Sequence, residues 1–192
     1  MIEAELLQGA LNEFLKTGYG GTSIRQIVHA LGVSKTTLYS RYPSKEALFR
    51  AIVTRQIERL AAHTTLEDEH WPDVGIALRT YANRTLEISL EGELREVNRL
   101  IYSESHRFPE LGVAAAERTE MGIQQITRFI EICADRDKMP VRNARGVAEA
   151  FIFMLRGWYV NILLTGQPVS AAHREAWVER VVLALVSGRA EW

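Results

Sequence analysis

Apolar residues recur along this chain at intervals of three and four, the spacing that lines one face of a helix. Leu7, Ala10, Leu11, Phe14 and Leu15 make the first such stripe, and Gly18, Gly20 and Gly21 around Tyr19 break it. Thr22 or Ser23 can cap a second helix with the stripe Ile24, Ile27, Val28 and Leu31, and Ser23 with Gln26 has the spacing of a capping box. Gly32 suits the left-handed position that ends it. Ser34 caps a short third helix through about Tyr39, Pro43 stops that helix, and Ser44 caps a long fourth one. The fourth carries Leu48, Ile52, Ile57 and Leu60 and is predicted to run to about Thr64.

The polar, acidic stretch from Thr65 to Asp73 reads as a loop. Beyond it the pattern predicts helices at about 73–90, 92–105, 110–136, 144–165 and 171–188, punctuated by Gly92, Pro109, Pro140 and the Gly166-Gln167-Pro168 turn. No alternating strand pattern and no repeat appears, so the expected class is all-α, with about nine helices. The last two of these are apolar nearly all round, and such helices must be buried on more than one side. A central core helix accounts for one of the pair, but less easily for both. In a chain of this size a second copy supplies the remaining cover, as a four-helix interface between protomers. Phe153, Gly157, Val160 and Leu164 on one helix and Trp177, Val181 and Leu185 on the other are the candidates for it.

The second and third helices, joined through Gly32 and Val33, have the form of a helix-turn-helix. Ile27, Val28, Leu31, Val33 and Leu38 lock the two helices, which leaves Lys35, Thr36, Thr37, Tyr39, Ser40 and Arg41 to project outward. A helix fits the major groove, and side chains of these kinds bond base edges or phosphates. Ser34 and Ser44 stand at helix starts, where free amides favour phosphate. Lys45 puts a cation where the helix dipole prefers an acid, a placement that makes sense beside a phosphate. A helical hairpin with a solvated polar face satisfies the same pattern.

Composition narrows these readings. The chain has 192 residues, 47% of them hydrophobic, enough to bury a sizeable core. Its net charge is −1, but residues 1–55 carry +3 and the remainder −4, as expected of a nucleic-acid module attached to an acidic body. The single cysteine, Cys133, excludes an internal disulfide and suits a reducing cytoplasm. The opening residues include Glu3 and Glu5 and do not look like a signal peptide. No apolar run is expected to span a membrane, because Arg156, Gly157 and Asn161 interrupt the longest, from Phe151 to Leu164. An enzyme finds little support: there is no phosphate-cradling glycine loop, nucleophile elbow or metal-ligand cluster, and no cofactor is expected. His29, His63, His70, His106 and His173 are scattered, and His106 beside Glu104 reads as a surface pairing.

The run from Phe14 to Ile27, Phe-Leu-Lys-Thr-Gly-Tyr-Gly-Gly-Thr-Ser-Ile-Arg-Gln-Ile, is followed from Leu31 to Phe49 by Leu-Gly-Val-Ser-Lys-Thr-Thr-Leu-Tyr-Ser-Arg-Tyr-Pro-Ser-Lys-Glu-Ala-Leu-Phe. Together they resemble the DNA-binding domain of the tetracycline-repressor (TetR) family, over about the first quarter of the chain. The resemblance implies a helix-turn-helix domain at 1–47 and a helical ligand-binding and dimerisation domain at 48–192. It implies a cytoplasmic bacterial homodimer on palindromic operator DNA, most often a repressor released by a small ligand. Thr22 and Ser23 are then expected to anchor phosphate, and Arg25 to reach phosphate or a base edge. Ser34, Lys35, Thr36, Thr37, Tyr39, Ser40 and Arg41 lie on or after the recognition helix, and Lys45 on phosphate. Tyr19 and Phe49 are packing residues. The chain departs from many members in having acids where a basic arm precedes the first helix, and in Tyr42, where phenylalanine is commoner.

The body resembles the family in architecture only. Tyr81, Asn98, Tyr102, His106, Phe129, Phe151 and Trp158, aromatics with a few polar groups, are the candidates for a pocket that takes a small, partly apolar ligand. The alternative is a filled body with no pocket, controlled by a protein partner.

Overall fold

The computed structural model describes residues 3–61, Leu66 and 71–192, with the side chains of 56–61 outside the description. Among the described residues the chain is helical without strands. The helices are α1 (Glu3–Gly21), α2 (Ile24–Leu31), α3 (Lys35–Tyr39), α4 (Lys45–Ala61), α5 (Val74–Leu90), α6 (Gly92–Glu104), α7 (Pro109–Asp137), α8 (Ala144–Thr165) and α9 (Ala171–Val186), followed by a 3-10 turn at Arg189–Glu191. The predicted end of the fourth helix at Thr64, most of the predicted loop from Thr65 to Asp73, and His63 and His70 lie outside the described residues.

Two compact units emerge. The first comprises residues 1–59 and 96–116, the second 60–95 and 117–192. This grouping differs from the expected division after residue 47. Helix α4 runs through that point without a break, and a distant segment holding the end of α6 and the start of α7 joins the first unit. Local patterning shows where helices begin and end, but it does not show which distant segment packs beside them.

In the first unit Leu6, Ala10, Leu11 and Phe14 of α1 are buried with Ile27, Leu38, Leu48, Phe49 and Ile52. Helix α1 packs on α2, and α2 on α3. Tyr42 is buried as well, and its hydroxyl donates to Glu3 Oε1 (2.7 Å), which gives the tyrosine a polar partner that phenylalanine could not use. Burial, then this hydrogen bond, push its phenol pKa up to about 12.

In the second unit α5 packs against both α8 and α9, which also pack on each other. Val74, Ala77, Leu78, Tyr81, Phe129, Phe151, Leu155, Val178 and Val182 fill this core, with Cys133 buried beside Ile130 and Ala134. Arg79 and Glu179 link α5 to α9 through paired hydrogen bonds of 2.5 and 3.0 Å. Helix α8 departs from one expectation. By length and composition alone it is apolar enough to cross a membrane, because Arg156 and Asn161 do not outweigh the Leu, Ile and Phe around them. Its inner side is committed to the core, whereas Phe153 (54% exposed) and Leu164 (70%) point outward.

Candidate nucleic-acid interface

The reading unit is built from short-range rules. Ser23 accepts from the Gln26 amide (3.2 Å), and the Gln26 side chain accepts from the Ser23 amide (2.7 Å), so a complete capping box opens α2. At its end Gly32 takes the left-handed conformation (φ 65°, ψ 27°), and the next amide, Val33, returns to the Val28 carbonyl (3.1 Å). Ser34 Oγ accepts from the Thr37 amide (3.0 Å) to start α3, and Ser44 Oγ accepts from the Ala47 amide (3.0 Å) at the start of α4. Leu38 is completely buried and pins α3 from below. The opposite surface is open: Ser34, Lys35, Thr36, Thr37, Tyr39, Ser40 and Arg41 are all exposed, as are Ser23 and Arg25 of the preceding helix. Tyr39, 45% exposed, is the large aromatic of this face. These residues form one polar, cationic surface on a scaffold held by three side-chain caps and a buried leucine.

Two residues expected on phosphate also make contacts within the unit. Thr22 is buried (2% exposed), and its hydroxyl donates within the unit, with the Gly18 carbonyl 2.7 Å away and the Glu13 carbonyl 3.2 Å away. Lys45 Nζ donates to the carbonyls of Tyr19 (2.9 Å) and Thr22 (3.2 Å) and lies 4.4 Å from the centre of the Tyr19 ring. The cation at the start of α4 therefore satisfies carbonyls of the α1–α2 corner. That partner lies more than twenty residues back in the chain, outside the reach of local reasoning. Tyr19 and Phe49 are packed as expected, with ring centres 5.1 Å apart. Glu104 and Phe108 were not expected at this surface: Glu104 accepts from the Tyr19 and Gly20 amides, and the Phe108 ring lies edge-on to Tyr19 at 4.9 Å. The Glu104–His106 proximity noted in the sequence gave no hint of this.

The body candidates divide. Tyr81 and Phe151 meet in the core of the second unit (6.1 Å between ring centres), with Phe129 buried in the same unit. Burial pushes the Tyr81 phenol pKa up to about 12. Trp158 instead stacks on Trp177 (6.0 Å, 10° between planes), with the His173 ring edge-on at 5.6 Å. Asn98, Tyr102 and His106 belong to the first unit: Asn98 is fully buried, Tyr102 half-buried and His106 exposed. Of the partner-surface candidates, Phe153, Gly157 and Leu164 are exposed, and Val160, Trp177 and Leu185 are half-buried. Val181 requires correction. It is 3% exposed, on the inward stripe with Val178 and Val182, and Leu183 (58% exposed) is the large apolar residue of the outward side of α9.

Comparison with known proteins decides the family. Residues 6–52 match the family model for bacterial regulatory proteins of the tetR family, and residues 76–187 match that of the AefR-like transcriptional repressor C-terminal domain. The chain belongs to the TetR family. The second match alone spans more than half of it. Members are DNA-binding transcriptional regulators, not enzymes, and act as dimers on operator DNA.

Among curated relatives, the Escherichia coli HTH-type transcriptional repressor ComR is 43% identical over 56 residues, 29% of this chain and 27% of ComR. The E. coli regulator RutR is 34% identical over 84 residues, 44% of this chain and 39% of RutR. The chain thus matches well under half the length of either relative. Likeness to solved structures extends further. A Mesorhizobium loti structure assigned to the TetR-family transcriptional regulators is 26% identical, covers 96% of this chain and 94% of its own, and has a TM-score of 0.79. The flavonoid-responsive regulator FrrA is 27% identical, with coverage of 95% and 94% and a TM-score of 0.75.

Proposed function

We propose that this TetR-family protein is a cytoplasmic homodimeric repressor that reads a palindromic operator through α3 and releases it on binding a small, partly apolar ligand in its helical body. The observation that carries the reading is the exposed Lys35–Arg41 surface on a fully capped α2–α3 unit. Lys35 and Arg41 supply charge for phosphate, and Thr36, Thr37, Tyr39 and Ser40 supply donors and an aromatic edge for bases. Ser23, Ser34 and Arg25 flank that surface as backbone contacts. A dimer carries two such surfaces to successive major grooves, about 34 Å apart. Its cover is the outward apolar side of α8 and α9, Phe153, Leu164 and Leu183, with Gly157 leaving room for a close partner.

The ligand reading draws on the flavonoid-responsive regulator, similar over nearly the whole chain, and on the Tyr81, Phe129 and Phe151 aromatics of the second unit. Their burial also supports a second reading, a filled body governed by a protein partner. Anisotropy of the full chain on duplex DNA from upstream of its own gene, against random duplex at several salt concentrations, tests the DNA reading. Tight, salt-sensitive, sequence-preferring binding supports it, and equal weak binding to both overturns it. A melting-temperature screen with planar aromatic compounds separates the two body readings: a specific rise that also weakens the DNA complex supports ligand release.

A further inference from the structure

The α1–α2 corner is held from two sides by opposite charges. Gly18 breaks α1 with non-helical angles (φ 76°, ψ 164°), so the amides that follow lose their intrahelical acceptors. Glu104, the last residue of α6, takes them: Oε1 accepts from the Tyr19 amide (2.5 Å) and Oε2 from the Gly20 amide (2.8 Å). The glycines make room for it. A Cβ on Gly18 would lie 2.6 Å from Glu104 Oε1, and one on Gly20 would lie 3.0 Å from the Phe108 ring. From the other side Lys45 binds the Tyr19 and Thr22 carbonyls. Thr22 immediately precedes the Ser23 cap of α2, and Lys45 is the first residue of α4. The Lys45–Thr22 bond therefore ties together the two ends of the segment that contains α2 and α3.

We propose that Glu104 is a positioning residue for DNA reading: together with Lys45 it fixes the Gly18–Thr22 backbone, and hence the angle at which α2–α3 meets the duplex, without itself touching DNA. The proposal rests on the reading role given above to α2–α3. It makes a claim opposite in sign to simple electrostatics. An acid on a DNA-binding head repels phosphate, so removing its charge should tighten binding to any duplex. A positioning acid has the reverse effect, confined to the preferred sequence.

The test uses the full chain with two duplexes, the palindrome that the wild-type protein recovers from a random library and a scrambled duplex of the same length. Glu104→Gln should weaken binding to the palindrome about tenfold, as expected when a supporting contact is loosened, leave the scrambled duplex bound as before or slightly tighter, and keep the salt slope. In amide NMR spectra of the DNA-free protein, the Tyr19 and Gly20 proton resonances should move upfield as the charged acceptor is lost. Unchanged or tighter palindrome binding by Glu104→Gln overturns the proposal, as does an equal loss on both duplexes. A wild-type protein that recovers no preferred duplex removes the reading role and the proposal with it, while the amide resonances still report whether the corner is clamped.

Discussion

The α2–α3 and α8–α9 hairpins share a construction and differ in what they leave outside. Each first helix ends on a glycine in the left-handed conformation, Gly32 (φ 65°) or Gly166 (φ 66°), and each second helix opens on a serine cap, Ser34 or Ser170. In the first hairpin one apolar stripe turns inward and the remaining surface is polar. In the second, the inward stripe of Phe151, Leu155, Val178 and Val182 is complete, yet Phe153, Leu164 and Leu183 still face out. Similar local chemistry makes both turns. In the function proposed here the residues left over set the partner, a hydrated polyanion for one and a matching apolar surface for the other.

The largest effect should come from charging the second surface. Phe153→Asp with Leu164→Asp is expected to raise the dimer dissociation constant at least about 100-fold, given what central apolar anchors contribute to an interface. Helicity should persist, because both side chains lie outside the core. Sedimentation and circular dichroism read the two quantities, and an intact dimer would remove this surface from the interface. On the first hairpin, Tyr39→Ala should cost about 1–3 kcal/mol of operator binding and little on random duplex. Equal losses on both would deprive Tyr39 of a reading role.

Two glycine replacements sharpen the comparison further. Beyond the adjoining residues of the chain, nothing lies within 4 Å of where a Cβ would stand at Gly32 or Gly166, so alanine at either position meets only backbone strain. Each should lose about 1 kcal/mol of stability in urea unfolding, but only Gly32→Ala should also weaken DNA binding. The smallest effect concerns pH. Hydrogen bonds from Arg136 and then Arg189 hold the Asp137 carboxyl at a pKa of about 2, below its ordinary 3.8. Its contribution is therefore complete above pH 3.8 and lost as pH falls toward 2. Melting curves of Asp137→Asn should decline less steeply than wild type across that window, and parallel curves would show that this contact contributes no stability.

The predicted helix boundaries after residue 73 agree with the structure to within two residues, and the Ser23–Gln26 capping box is present as expected. These features depend on neighbours within a few positions, which the sequence displays directly. Lys45, Thr22 and Glu104 behave differently because their partners are remote: Glu104 reaches Tyr19 across 85 positions, and no spacing rule links an α6 acid to an α1 amide. Val181 and Leu183 expose a second limit. Both are apolar and both lie on a helix apolar on most sides, so periodicity cannot say which faces inward until α5 is placed beside them. Trp158 likewise had the right composition for a pocket wall, and the Trp177 ring claims its face.

That indole pair gives the molecule an optical property. All four tryptophans, Trp71, Trp158, Trp177 and Trp192, fall in the second unit, so the first is dark in the tryptophan emission band. Unlabelled protein excited at the red edge of the indole absorption therefore reports on the body alone. Because Trp158 and Trp177 sit on the two helices proposed for subunit pairing, dilution should change their emission as dimers separate, whereas duplex added at high protein concentration should not unless the body itself responds. The same cuvette then distinguishes assembly from transmission between the units, with no dye attached to either.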